Sequence, residues 1–369
     1  MKQTDKSSFL QLIRIALGNA ASFHSPLSAQ EWEGMMSISA KQGIAGIAFS
    51  GVEKLPKEQM PPLEVIMDWS AVADYTEQEN RRLNKVSAKV CEMFERDGKR
   101  VCIVKGASVG VFYPEPLRRS AGDVDVWMAG GYKAVAEYVK RKFADVSGGH
   151  YGRHVSVDVD GVSVEIHFMP AELYSPLHRR YLKKLYKEIE AKPWNCRAEL
   201  NGGGSIIVPE LKDNLIIVTV HLFNHFAVEG VGMKQVLDCY WVLKEVDKAG
   251  NGVGKSAESI RNEAMAFFRK VGIDKFVAAL MYVLQQLGME ESQMLCAPDV
   301  KLGKRLLDDI FETGIVSTED LVTGKYGDES KPHRFYRRMH RVVQLLPMSS
   351  SDMLWVPFYG ISYWILRKR

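Results

Sequence analysis

Cysteine is scarce and poorly placed. Five residues, Cys91, Cys102, Cys196, Cys239 and Cys296, are scattered over 369 positions, odd in number and without a C-x-x-C pair. That pattern argues against a disulfide framework or a cysteine zinc site and fits a reducing, cytoplasmic setting. An excess of one charge is also lacking: 49 Lys and Arg stand against 45 Asp and Glu, for a net +4 spread along the chain. Nothing in that balance marks a nucleic-acid or membrane-binding protein. No apolar run is long enough for a transmembrane span. The longest, inside MLWVPFYGISYWILRKR, is about 14 residues and is interrupted by Pro357 and Gly360, whereas a span needs about 18 to 20. A terminal helix docked on the core is expected there, with interfacial membrane contact through Arg367, Lys368 and Arg369 as the alternative. The opening MKQTDKSSFLQLIRIALG has no convincing small-residue cleavage site and reads as a helix of the mature chain. No internal repeat of useful length is present.

What the sequence does have is apolar content, 46% of residues, enough for substantial cores in two or three domains. From Phe9 to Gly98 the signals are helical. SAQEWEGMMSISAKQG opens on a capping-type serine and closes on glycine, and the long segment from PPLEVIMDW to Gly98 repeats Ile66, Trp69, Val72, Val86, Val90 and Phe94 at roughly helical spacing. At Arg100 the period changes. RVCIV reads as a buried strand, GASVGVFY as a short helix, GDVDVWM as a second strand and GYKAVAEYVKRKF as an amphipathic helix. HVSVDVDGVSVEIHF then alternates strictly around Asp160-Gly161, a favoured two-residue hairpin turn. That turn pairs Val159 with Val162, Ser156 with Glu165 and His154 with His167, placing the valines on one face and His154, Ser156, Asp158, Ser163, Glu165 and His167 on the other. Beyond Pro170 a basic helix, SPLHRRYLKKLYKEIE, precedes a glycine-rich turn with one short strand, NGGGSIIVP, and a series of helices with a polar loop around TGKYGDESKPH.

The chemical signal sits in RRSAGDVDVWM. On a strand, Asp123 and Asp125 share a face with about 6.5 Å between their α-carbons. Two unpaired carboxylates so close repel, and a divalent cation removes the conflict; Mg²⁺ and Mn²⁺ prefer such oxygens. Solvated aspartates on an edge strand are the plain alternative, against which the flanking apolar residues argue. Glu165 supplies a third carboxylate if its strand lies beside that of Asp123, and it could also accept the proton of an attacking hydroxyl. VKGASVG has the form of a phosphate-holding turn, with Gly106 allowing close approach and Ser108 at the start of a helix. Arg119 suits a triphosphate or is merely a surface salt-bridge partner, and Lys105 faces phosphates or just neutralises a neighbouring carboxylate. His221 and His225 lie one helical turn apart, but without the H-E-x-x-H order a structural role is favoured over zinc. Lys234 and Asp238 form an i,i+4 pair by default, the alternative being that Lys234 reaches nucleotide phosphates while Asp238 orients it.

VKGASVGVFYPEPLRRSAGDVDVWM, with DGVSVEIHF and HLFNHFAVEGVGMKQVLDCYWVL, resembles the poorly characterised nucleotidyltransferase-like proteins of bacteria, within the polymerase-β-type nucleotidyltransferase superfamily. The resemblance covers roughly residues 100 to 246. It implies a nucleotidyltransferase-like mixed β-sheet; with the helical spacing on either side, the expected fold is α+β, flanked by helical N- and C-terminal regions: a helical region over 1–98, the core over 99–208 and a helical domain over 209–369. It further implies Asp123, Asp125 and Glu165 as catalytic metal ligands for Mg²⁺ or Mn²⁺, and Gly106, Ser108 and Arg119 as nucleotide-binding. Beside them, Lys105, Gly122 and Lys234 are nucleotide-binding candidates from the residues themselves, with His154, His167, His221, His225 and Asp238 as accessory candidates. The serine follows Gly106 by two positions instead of forming the superfamily's usual G-S pair. The expected function is transfer of a nucleoside monophosphate from an NTP such as ATP to the hydroxyl of a small-molecule or protein acceptor. The alternatives are a nucleotide-binding or toxin-like regulatory module and, less well matched, a D-x-D glycosyltransferase. Nothing in the sequence sets the acceptor or the oligomeric state.

Overall fold

The computed structural model describes residues 3–120, 122–148, 154–228, 230–249, 256–314, 339, 341–343 and 345–358. The polar loop around TGKYGDESKPH and the final GISYWILRKR, with Arg367, Lys368 and Arg369, lie outside the described residues.

The helical lead-in is α1 (Gln3–Ala16), α2 (Ala29–Lys41), α3 (Ala45–Val52) and α4 (Leu63–Arg96). Ser28 caps α2 in a reciprocal pair with Glu31: its hydroxyl accepts from the Glu31 amide, and the Glu31 carboxylate accepts from the Ser28 amide, satisfying two amides the helix cannot. The 34 residues of α4 extend about 50 Å, long enough to bridge two cores. Near its start Trp69 is buried with Trp32 and Phe49, while further along Val86, Val90, Cys91 and Phe94 pack on the sheet.

The chain then lays down β1 (Val101–Ile103), α5 (Gly106–Gly110), β2 (Val124–Met128), α6 (Gly131–Lys142), β3 (Val146–Gly148), β4 (His154–Val159) and β5 (Val162–His167). The fold is α+β, with a mixed five-stranded sheet in the order β1-β2-β5-β4-β3. β2 runs antiparallel to β1 and parallel to β5. The β4–β5 hairpin has the expected register, Val159 opposite Val162, Ser156 opposite Glu165 and His154 opposite His167, because the period of two and the Asp160-Gly161 turn leave no other frame. Its valine face, with Val124, Val126 and Met128 of β2, is buried under α4 and α6. The opposite face carries Trp127 into the other core, so the five residues of β2 are all buried.

After α7 (Pro176–Glu190) a second hairpin, β6 (Arg197–Leu200) and β7 (Gly204–Ile207), appears where sequence reading gives one strand. RAEL carries no β-branched residue, so its strand character comes from pairing with β7. Gly203 in the turn lies so close to α4 that a Cβ would meet Asn84 at 2.7 Å. The edge strand β3, only three residues long, likewise has no periodic signal. The helices α8 (Leu211–Val228), α9 (Met233–Ala249), α10 (Ala257–Lys270), α11 (Asp274–Gln286) and α12 (Val300–Thr313) follow, with a further short helix, Ser350–Met353, among the described residues. One apolar core joins them to the N-terminal helices and to the Trp127 side of the sheet. Among the described residues no helix is long and apolar enough to cross a membrane. Of the terminal apolar stretch, Met353 and Val356 are buried, whereas Trp355 and Phe358 remain exposed.

Candidate functional site

The parallel pairing of β2 with β5 sets Asp125 directly opposite Glu165. Asp123, two residues earlier, shares their face, and oxygens of Asp123, Asp125 and Glu165 lie within 4.8 Å of one another. The sheet thus brings Glu165 to two aspartates that lie 40 or more residues before it in the chain.

Their environments differ. Asp125 is 6% exposed, and burial alone would favour its neutral form. The Lys105 ammonium, 2.7 Å from Oδ1, and His167 Nε2, 2.6 Å from the same oxygen, instead hold it well below the usual carboxylate range. Because Asp125 is ionised, His167 Nε2 carries the proton and donates it. Glu165 is half-buried and also held low: burial opposes its charge, while His167 at 3.2 Å and His154 at 3.3 Å favour it. Asp123 stands at the solvent edge of the group. Desolvation of the carboxyl in the cleft, followed by repulsion from Asp125 and Glu165, pushes it up to about 6. No cation among the described residues pairs with it.

Lys105 reaches Asp125 because the chain reverses sharply after β1. Its backbone has φ 58° and ψ −142°, a region costly for a residue with a Cβ. The Val104 amide bonds to the Asp125 carbonyl at 3.0 Å, tying that turn to β2. Gly106 opens α5, which is only five residues long, and lines a narrow cleft with Ala107, Gly110, Arg119, Gly122, Asp123 and Asp125. Ser108 departs from expectation. It is fully buried and its hydroxyl donates to the Lys105 carbonyl at 2.8 Å; it braces the strained turn and offers no side-chain atom to the cleft.

Arg119 and Asp238 also part from the sequence reading. Arg119 is 7% exposed, neither at the surface nor an unengaged phosphate ligand. Its Nε and Nη2 donate to the two oxygens of Asp238 at 2.7 and 2.8 Å, and Tyr113 donates to the same carboxylate at 2.8 Å. Asp238 therefore pairs across 119 residues of sequence and not with Lys234 one turn away. Arg118 is anchored beside it by Glu53, Glu77 and Glu115. Gly46 on α3 lets the Arg118 backbone approach so closely that a Cβ would meet its carbonyl oxygen at 2.5 Å.

The Lys234 amide donates to the Gln42 carbonyl at 3.2 Å, but its side-chain ammonium has no hydrogen-bonding or ionic partner among the described residues. Its Nζ lies 3.8 Å from the place a Cβ on Gly122 would take, beside the entrance to β2. Burial and then the Arg119 guanidinium push its ammonium down to about 8. An under-neutralised cation next to the carboxylates suits an anionic ligand.

Sequence reasoning misses one wall of the cleft, where Asn80, Asn84 and Ser87 of α4 face Leu200 and Asn201. Asn80 donates to the carbonyls of Leu117 and Arg119 at 2.6 and 2.5 Å, holding the loop before β2. Three polar residues at helical spacing within an apolar stripe are the only signal that points to them. His221 and His225 stack edge to face, 4.4 Å between ring centroids, and join no group of three metal-ligand residues among the described residues. A groove of about 1060 Å³ between α7 and Trp355 holds none of the expected site residues.

The pattern of a protein family described as "Uncharacterised nucleotidyltransferase" matches residues 28–287, and the chain belongs to that family. None of the curated proteins is a match. Among solved structures the chain is similar to an antigenic nucleotidyltransferase-like protein from Paracoccidioides brasiliensis, with 12% identity, a TM-score of 0.30, and coverage of 44% of this chain and 76% of that one.

Proposed function

We propose that this member of the uncharacterised nucleotidyltransferase family is a cation-dependent enzyme of the polymerase-β type, which transfers a nucleoside monophosphate from an NTP to an acceptor hydroxyl. The observation that carries the reading is the convergence of Asp123, Asp125 and Glu165 on one face of adjacent strands. The donor set fits Mg²⁺ or Mn²⁺: three carboxylates in reach of one another, one of them with its ionisation opposed by its neighbours. Bound there, such a cation would supply charge neutralisation for the α-phosphate and the departing pyrophosphate.

The remaining chemistry belongs to the chain. Asp123 and Asp125 would hold the cation, facing the cleft in which the triphosphate is proposed to lie. The acceptor oxygen forms a bond to the α-phosphorus as the α–β bridging bond breaks and pyrophosphate leaves. The acceptor proton goes to the ionised Glu165. Lys234 lies where its ammonium can balance phosphate charge, and Arg119 acts as a positioning residue, locking the RRSAG loop to α9 through Asp238.

The test is incubation of the chain and Mg²⁺ with each α-labelled NTP and a metabolite or protein pool. Label transferred with pyrophosphate release, and absent from Asp123→Asn and Asp125→Asn, is the expected outcome. Tight Mg-NTP binding without turnover over broad acceptor panels would instead favour a regulatory nucleotide-binding module.

A further inference from the structure

We propose that the polar face of the β4–β5 hairpin is a transition-metal site, built by His154, Glu165 and His167, that takes Zn²⁺-class cations in preference to Mg²⁺. The geometry is that of a pleated sheet. Glu165 and His167 are two residues apart on β5 and share a face, and His154 is the direct cross-strand partner of His167. Residues at i and i+2 and a cross-strand neighbour converge on one point above the sheet. Here one candidate ligand atom from each of the three lies within 4.8 Å of the others.

The two histidines address opposite oxygens of the same carboxylate. His154 Nε2 is 3.3 Å from Glu165 Oε1, and His167 Nε2 is 3.2 Å from Oε2. Two imidazoles and one carboxylate form a borderline donor set: imidazole suits Zn²⁺ and related metals, whereas Mg²⁺ selects oxygens. His167 is 3% exposed and meets Glu165 through Nε2, the same nitrogen that gives its proton to Asp125, so a cation taken there releases that proton, while His154 is half-buried on the solvent side. That combination leaves a three-ligand site with an open coordination position, the form associated with exchangeable or reactive metal. Glu165 also belongs to the three-carboxylate group and is the proton acceptor of the reaction proposed above, so the two groups share one carboxylate and a cation held by the histidines would compete with that reaction.

Visible absorption of the metal-free full chain titrated with Co²⁺ tests the assignment. One equivalent is expected to bind with the intense bands of low-coordinate Co²⁺, to be displaced by Zn²⁺ and to resist a large excess of Mg²⁺. His154→Gln, at a partly exposed position, should weaken Co²⁺ binding by about 100-fold or more, with its far-ultraviolet dichroism unchanged. Asp123→Asn should leave the Co²⁺ spectrum and affinity as they are. Equal loss in Asp123→Asn and His154→Gln, or displacement of Co²⁺ by Mg²⁺, would overturn the site and return these histidines to a hydrogen-bonding role. No nucleotide enters the titration, so absence of nucleotidyl transfer would count against the proposed reaction alone.

Discussion

Asp125 and Glu165 stand opposite each other in the parallel register of β2 and β5, a pairing of two acids that an ordinary sheet would avoid. The fold tolerates it by surrounding Asp125 with Lys105 and His167 and Glu165 with two histidines. Asp123 receives no such partner, and the first prediction follows from that difference.

Asp123→Asn should stabilise the metal-free protein while abolishing transfer. The folded-state value of about 6 exceeds that of an unfolded aspartate, so the folded state holds the proton more tightly. The charged carboxylate therefore works against folding above about pH 6, and the penalty fades as pH falls towards 4. With solvent reaching the group, the gain at pH 7.5 should be about 1 kcal/mol, a rise of a few degrees in Tm. Calorimetry at pH 7.5 and pH 4 checks it; a gain of equal size at both values would rule out the charge explanation.

The buried pair of Arg119 and Asp238 should be intolerant of half-removal. Asp238→Ala leaves a guanidinium buried without its counter-charge and should cost about 3 to 5 kcal/mol in urea unfolding. The double change Arg119→Met with Asp238→Leu removes both charges and should cost less than Asp238→Ala alone. The reverse order would show that the pair is not what holds the loop.

Lys234 should contribute to Mg-NTP affinity in a pH-dependent way. Loss of one charge-assisted contact, about 1.5 to 3 kcal/mol, makes Lys234→Met at least about tenfold weaker. Its ammonium loses its proton near pH 8, so wild-type affinity should fall as pH rises through that value, and the variant should lack that step. Calorimetric titration between pH 7 and pH 9 reads both.

The backbone of Lys105 offers a separate test of strain. At φ 58° any Cβ is unfavourable, so Lys105→Gly should be more stable than Lys105→Ala by about 1 kcal/mol. Both remove the ammonium from Asp125, which makes their difference a backbone quantity. Equal denaturation midpoints would mean that the turn relaxes without its side chain.

By itself the sequence determined the elements whose cause is local. A period of two around Asp160-Gly161 set every residue pair of the β4–β5 hairpin, a capping serine and glutamate opened α2, and the D-x-D spacing put two carboxylates on one face of β2. It could not reach what depends on distant partners. That β5 lies parallel to β2, that Arg119 spends its charge on Asp238, that Lys105 folds back on Asp125 and that α4 walls the cleft with Asn80 and Asn84 were decided by tertiary packing. Each pairs groups 20 or more residues apart, and burial turns such encounters into obligations, since an ion or amide removed from water must find its partner wherever the fold delivers one.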